Sequence, residues 1–312
     1  MTPPLLAGVV VHWRNETELA ELCAAWPRDP RFELVVVDNG SSGAFPELPP
    51  GARRLSPGEN LGFAGGVNAG VAASTAELVL ILNPDARPLA GALDALLAGF
   101  AAHPEAAGLA PRLRGEDGAL QHRWQLRSLP SAGRLLFQAF FVPGASGPRD
   151  EPAAGTAVEQ PAAAALALRR RALDAVGGMD TAFFPAWFED VDLARRLRDR
   201  GARLLYWPSA EFVHGLGSSV PRLGYGPFLW IYNRNLARYL VRHHGAFTAA
   251  LAGPLIATGA LLRLLLLPLR RPKRAATRAE AARALLSTAA GALSGWRRPR
   301  ALAEGPRRPA TL

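Results

Sequence analysis

Glu189, Asp190 and Asp192 place three carboxylates within four positions. They follow an aromatic, Pro-interrupted stretch carrying Phe183, Phe184, Trp187 and Phe188. Behind them runs a helical pattern with Leu193 and Leu197 on one face and arginines on the other. The acids therefore fall in the first turn of a helix, where the aligned peptide dipoles favour negative charge. Helix capping alone accounts for such acids, with Asp192 paired to Arg196 four residues on. The aromatic wall adds a second possibility. It desolvates a neighbouring carboxylate and raises its pKa, which a general base requires.

Three further segments carry polar groups at the ends of apolar runs. Asp38 closes the run FELVVVD, where a carboxylate can accept hydrogen bonds from a nucleobase or a ribose. An Asx turn within the following NGSS is the equal alternative. In ENLGFAGGVNAG, Glu59 to Gly70, the glycines Gly62, Gly65 and Gly66 let backbone amides approach an anion closely. A helix from about Val67 would point its positive end the same way. The segment fits neither G-x-G-x-x-G nor G-x-x-x-x-G-K-[ST], so a diphosphate-bearing donor bound in another manner is expected. Asp85, in Asn83-Pro84-Asp85 after LVLIL, can ligate Mg2+ or Mn2+, which take oxygen ligands and share substrate phosphates. His214, in EFVHGLGSS, suits Mn2+ as a second protein ligand, whereas a lone histidine is more often structural.

The elements that must position these groups alternate. Leu5 to His12, Phe32 to Asp38 and Leu78 to Leu82 read as strands covered on both faces. Arg53 to Leu55 is a short strand, and Glu16 to Trp26, Val67 to Ser74 and Leu89 to Ala102 are helices. The alternation predicts an α/β fold with a mostly parallel central sheet, its ligands at the carboxyl ends of the strands. Pro130 to Pro161 lacks periodicity and reads as loops over the site. Ala162 to Leu168, Leu204 to Trp207 and Glu211 to His214 return as strands, and residues 170 to 176 form a short helix closed by Gly177 and Gly178.

A helix mixing aromatic and basic residues runs from Tyr225 to His244. Ala246 to Leu262 is then free of charge for 17 residues, before Arg263, LLLLPL and the cluster Arg270, Arg271, Lys273, Arg274. Helices lying in or against a membrane interface, their arginines on anionic headgroups, account for this pattern. A helical hairpin packed on the rest of the chain does so equally. The organisation expected is a domain over 1–223, a membrane-associated helical region over 224–296 and a disordered basic tail over 297–312.

The formal charge of +10 sits largely after Arg263, in a tail more than over a catalytic surface. Basic tails beside apolar helices suit anionic membranes as well as nucleic acid, and a membrane surface rather than a nucleic acid is the partner expected. One cysteine, Cys23, excludes an internal disulfide and a cysteine-based metal cluster. The N-terminus lacks the basic start of a secretory signal, which implies a cytoplasmic protein.

The segments VVVHW, VVVDNGSSG, ENLGFAGGVNAG, LILNPD, GGMDTAFFPAWFEDVDLARRLRDRG and YNRNLARYLVRHHG occur in that order. Together they resemble family 2 glycosyltransferases of the GT-A fold, and most closely the bacterial rhamnosyltransferase branch. The likeness spans roughly Leu5 to His244. It implies an inverting transfer in which Asp190 takes the acceptor's proton, with Glu189 and Asp192 shaping its field. It also implies a divalent ion on Asp85 and His214, and Asp38 on the nucleoside. His12, Asn60, Gly65, Gly66, Asn68 and Asn83 are assigned by the same likeness to the donor. Asn83 departs from the D-x-D motif by occupying its first acidic position. The implied donor is a nucleotide sugar, dTDP-L-rhamnose ahead of UDP- or GDP-sugars. The implied acceptor is a lipid-linked or growing polysaccharide, met by an enzyme peripheral to the inner face of the cell membrane.

Two other classes remain in view. A nucleotidyltransferase wants a basic residue in its glycine loop, and Glu59 to Gly70 has none. A non-catalytic, membrane-associated nucleotide-binding protein would be favoured by loss of Asp190 or Asp85, and both are present.

Overall fold

The continuous apolar runs become the central strands of the computed structural model, which describes residues 3–41, 43–140, 147–215, 223–269, 272 and 274–296. They are β1 (Leu6–His12), β2 (Phe32–Asp38) and β4 (Leu78–Leu82), each buried along almost its whole length. Runs of Val, Leu and Ile suit a pleated sheet covered on both faces. β3 (Arg53–Leu55) and β5 (Ala86–Pro88) are short, and β6 (Ala106–Arg114) and β10 (Ala165–Arg169) are longer. β11 runs from Arg203 to His214. The strand order is β3-β2-β1-β4-β10-β6-β11-β5, and β8 (Ala157–Val158) pairs with β11.

The sheet is more mixed than expected. β1 runs parallel to β2 and β4, β2 to β3, and β6 to β11. β10 runs antiparallel to both β4 and β6, and β11 antiparallel to β5 and β8. The two strands expected near Leu204 and Glu211 are one strand, irregular between Trp207 and Glu211. A bulge there turns the strand without ending it.

The residues group into two compact units. One comprises Met1–Leu129, Ala145–Phe184 and Glu189–Leu216, and the other Pro130–Gly144, Pro185–Phe188 and Gly217–Leu312. In the first, α1 (Glu16–Ala25) and α3 (Ala92–Ala102) cover the sheet, with Leu19, Leu22, Leu93, Leu96 and Phe100 in one core cluster. α2 (Gly62–Ala72) and α7 (Glu189–Asp199) contribute Val67, Val71, Leu193 and Leu197 to another cluster.

α2 corrects an expectation: it begins at Gly62, not near Val67. Gly66 lies over β1, where an added Cβ would stand 2.8 Å from Val11 Cγ1 and 2.9 Å from Cγ2. Gly70 lies in the same way against Val9 and Val37. These glycines let helix and sheet approach closely, so Gly66 has a packing role in the fold.

Pro130 to Pro161, expected to be loops, holds α5 (Ala132–Phe140), β8 and β9 (Gln160–Pro161). α5 belongs to the second unit, with α8 (Tyr225–Leu265) and α9 (Arg278–Leu293). α8 is two helices meeting at Gly245, whose φ of 84° and ψ of 164° no helix contains. Side-chain caps start α9: Glu280 N donates to Thr277 Oγ1 at 3.0 Å, and Ala276 N, just before the cap, to Glu280 Oε2 at 2.7 Å. Small residues bring α8 and α9 together, and a Cβ on Gly253 would lie 2.9 Å from the Ala292 carbonyl oxygen. On the other side of α8, Phe247, Leu251, Leu261, Leu262 and Leu265 are exposed at helical spacing. By length and composition α8 is able to cross a membrane. The expected basic tail over 297–312, and Arg270, Arg271 and Lys273, lie outside the described residues.

Candidate active site

Strand register brings the polar groups to one edge of the sheet. His12 and Asp38 are partners at the carboxyl ends of parallel β1 and β2. Leu82, the last residue of β4, pairs with Val10 of β1, so Asn83 and Asp85 follow at the same edge. A turn closed by Ala86 N donating to Asn83 O at 3.0 Å then starts β5. β5 pairs with the end of β11, His214 opposite Ala86. Gly215 N donates to Asp85 O at 2.9 Å, which ties the two segments together.

The result is a buried acid–imidazole pair, His214 Nε2 lying 3.5 Å from Asp85 Oδ1. Burial lowers the pKa of His214, against the opposing pull of Asp85, so the ring is neutral near pH 7. Gln121 donates its Nε2 to the His214 carbonyl at 2.8 Å, and its Oε1 lies 2.8 Å from His214 Nδ1. Trp124 stacks on the imidazole at 5.1 Å.

Asp38 shows the turn that competed with nucleoside binding. Its Oδ1 accepts from Ser41 N at 3.1 Å, and its Oδ2 pairs with Arg54 Nη2 at 2.5 Å. Arg54 in turn lies over the Phe45 ring at 3.9 Å. His12, fully buried and edge-on to Phe45, has no hydrogen-bond partner among the described residues on either ring nitrogen. Burial lowers its pKa as well, opposed by Glu16 and Asp38. A buried imidazole without partners is costly unless a ligand supplies them.

The glycine segment is braced from within. Asn39 Oδ1 accepts from Leu61 N at 2.7 Å, and Asn60 Oδ1 accepts from Gly62 N at 2.8 Å. Asn39 Nδ2 also donates to Asn60 Oδ1 at 3.0 Å. Two of the amides at this helix start are therefore satisfied by the chain itself. Asn68 departs from its expected place on the donor. Its amide clamps the Met179 backbone, accepting from N at 2.9 Å and donating to O at 2.8 Å. It packs on Gly178, where a Cβ would meet Asn68 Oδ1 at 2.7 Å. Asn68 thus ties α2 to the turn ahead of the acids.

The three acids divide. Asp192 is wholly buried and pairs with Arg196 at 2.7 Å, as capping predicts. Arg196 also donates to the carbonyls of Val176 and Gly178, at 2.7 and 2.8 Å. Glu189 is buried with Oε2 unpartnered, and burial, then the charges of Asp190 and Asp192, push its pKa well up. Asp190 faces a short antiparallel ribbon of β7 (Leu126–Arg127) and β9, in which Arg127 and Gln160 are partners. Its Oδ2 lies 3.5 Å from Arg127 Nη2 and 3.3 Å from Gln160 Nε2.

One stretch missed by sequence reasoning therefore reaches both centres. Gln121 and Trp124 meet His214, while Arg127 meets Asp190. Between them lies only α4 (His122–Gln125), too short for any periodic signal.

Among the described residues no cluster of three His, Cys, Asp or Glu side chains stands ready for a metal ion. Asp85 and His214 nevertheless form a mixed oxygen–nitrogen donor pair that fits a divalent ion whose remaining positions go to substrate phosphate and water.

Comparisons with known proteins agree in kind. The Glycosyl transferase family 2 model matches residues 14–154. An N-acetylglucosaminyl-diphospho-decaprenol L-rhamnosyltransferase of Mycobacterium tuberculosis is 31% identical over 259 residues, covering 73% of this chain and 76% of that one. A mannosyltransferase from Pyrobaculum calidifontis, solved with GDP-Man and Mn2+, superposes with a TM-score of 0.56 at 17% identity, over 95% of this chain and 89% of that one. GalNAc-T7, solved with UDP, GalNAc and Mn2+, gives a TM-score of 0.53 at 12% identity, over 80% of this chain and 50% of that one.

Proposed function

The chain belongs to glycosyl transferase family 2, and from that premise we propose that it moves L-rhamnose from dTDP-L-rhamnose to a lipid-linked acceptor at a membrane surface. It is a glycosyltransferase with the GT-A fold expected from its sequence. The rhamnosyl and lipid-linked parts of the reading rest on the M. tuberculosis relative's own activity. The observation that carries the site is the edge of the sheet: the Asp85–His214 pair, with one short stretch between it and Asp190.

In this reading Asp190 removes the acceptor hydroxyl's proton as that oxygen attacks the anomeric carbon, giving inversion without a covalent intermediate. Arg127 and Gln160 hold the accepting carboxylate in one orientation. Asp85 and His214 would hold Mg2+ or Mn2+, which when bound would supply positive charge to the departing diphosphate. His12 and Asp38 face the nucleoside, the unpartnered His12 nitrogens being the groups that gain most from a ligand. Asn60 braces the glycine segment from within, and Gly65 and Asn83 are read as further contacts of the donor.

The membrane part rests on the second unit. The exposed stripe from Phe247 to Leu265 is apolar, and the chain carries no Asp or Glu between Tyr225 and Ala279, against arginines such as Arg242, Arg274 and Arg278. An apolar stripe with basic neighbours suits an anionic bilayer interface.

The test pairs purified protein, Mg2+ or Mn2+ and a polyprenyl-diphosphate-linked sugar with a panel of nucleotide sugars. Rhamnosylated product from dTDP-L-rhamnose is expected; product from UDP- or GDP-sugars alone would overturn the donor. Replacing Leu261 and Leu265 with Gln should reduce sedimentation with anionic vesicles, and unchanged sedimentation would remove the stripe from the membrane.

A further inference from the structure

We infer that Gln121 is a positioning residue: it fixes His214 in the Nδ1–H tautomer and so turns the Nε2 lone pair toward Asp85. The argument is one of hydrogen-bond accounting. The His214 carbonyl can only accept, and Gln121 meets it at 2.8 Å, so the amide nitrogen must be the group facing it. The amide oxygen is then the atom 2.8 Å from Nδ1. An amide oxygen cannot donate, so Nδ1 carries the proton.

Nε2 is left with a lone pair aimed at a carboxylate 3.5 Å away. In the neutral ring this leaves Nε2 able to ligate a cation beside Asp85. Gln121 is itself held. It is nearly buried, its N donates to Leu113 O at 2.9 Å, and its carbonyl accepts from Gln125 N at 2.8 Å at the start of α4. Trp124, one turn on, stacks on the ring and restricts its rotation. An outer partner that sets a ligating histidine's tautomer affects metal affinity by about 10–100-fold when lost.

This inference rests on the proposal that Asp85 and His214 hold a divalent ion, and the experiment separates the two. Protein labelled with 15N-histidine, with His214 assigned through His214→Asn, reports the tautomer of the metal-free ring by long-range 1H–15N correlation. Mn2+ affinity is measured on the same samples by electron paramagnetic resonance. The wild type should show Nδ1–H. Gln121→Leu should shift His214 toward Nε2–H and weaken Mn2+ binding about 10–100-fold. Gln121→Glu, whose carboxylate still accepts from Nδ1–H but no longer donates to the His214 carbonyl, should keep the wild-type tautomer.

An Nε2–H wild type, or a tautomer unchanged in Gln121→Leu, would overturn the role of Gln121. A shifted tautomer with unchanged Mn2+ affinity would instead show that His214 is no ligand, so that the metal proposal would fall while the hold of Gln121 on the tautomer stood.

Discussion

Removing the Asp192 carboxylate separates the two jobs that an acid trio at a helix start can do. Asp192 is fully buried and Arg196 nearly so, with 2.7 Å between Nε and Oδ2. Arg196 also donates to two carbonyls of the turn that precedes the acids. Asp192→Ala leaves a buried guanidinium without its counter-charge, a loss that costs about 3–5 kcal/mol. Asp192→Asn keeps one acceptor and should lose less, in the range of a single hydrogen bond to a charged group, about 1.5–3 kcal/mol. Replacing both partners, Asp192→Leu with Arg196→Met, should recover part of the loss, because neither charge is then buried alone while the carbonyls of Val176 and Gly178 lose their donor. Urea unfolding at fixed pH, followed by circular dichroism and fitted for the midpoint and the slope, measures each change. If Asp192→Ala lowers the unfolding free energy by less than about 0.5 kcal/mol, within the range of an ordinary surface change, while abolishing transfer, then Asp192 works at the reacting centre and its structural assignment fails.

Two other perturbations follow from the packing and the burial. Gly66→Ala gains about 0.5–1 kcal/mol of helix preference but drives a Cβ into both methyls of Val11, an overpacking cost of about 1–3 kcal/mol. A net loss in stability is expected by urea unfolding, and a gain would show that α2 stands off β1. Glu189 has a raised pKa in the folded state, so above the ordinary value of 4.5 the folded chain holds a proton that the unfolded chain releases. Stability contributed by this group therefore falls as pH rises from that point through the raised value. Glu189→Gln should flatten the profile over that window, and matching slopes in unfolding from pH 4 to 8 would remove the buried acid as its cause.

The sheet was legible because its central strands are unbroken apolar runs, and parallel burial demands such runs. Asp38, Asp85 and His214 could be read as strand-end residues for the same reason, since a polar group closing an apolar run marks the edge of a sheet. What the runs do not encode is which edges meet. The pairing of β5 with β11 sets Asp85 beside His214, and that pairing is tertiary. Gln121 was invisible for a related reason: its amide finds His214 93 positions away, from a cap on a four-residue helix. The glycines have a packing role that the anion reading leaves out. Gly62, Gly66 and Gly70 recur every fourth residue, a helix-face spacing, and at least Gly66 and Gly70 lie against the sheet. The amphipathic second unit was visible as composition. The break at Gly245 was not, because only a positive φ distinguishes it from a tolerated helix glycine.

The claim on which the rest depends is that Asp190 is the base. Transfer from the preferred nucleotide sugar, measured alongside nucleoside diphosphate affinity in Asp190→Asn, tests it most directly. The account predicts kcat lower by about 10²–10⁴-fold, the usual contribution of a general base, with nucleotide affinity essentially unchanged. A variant that keeps most of its turnover would contradict it.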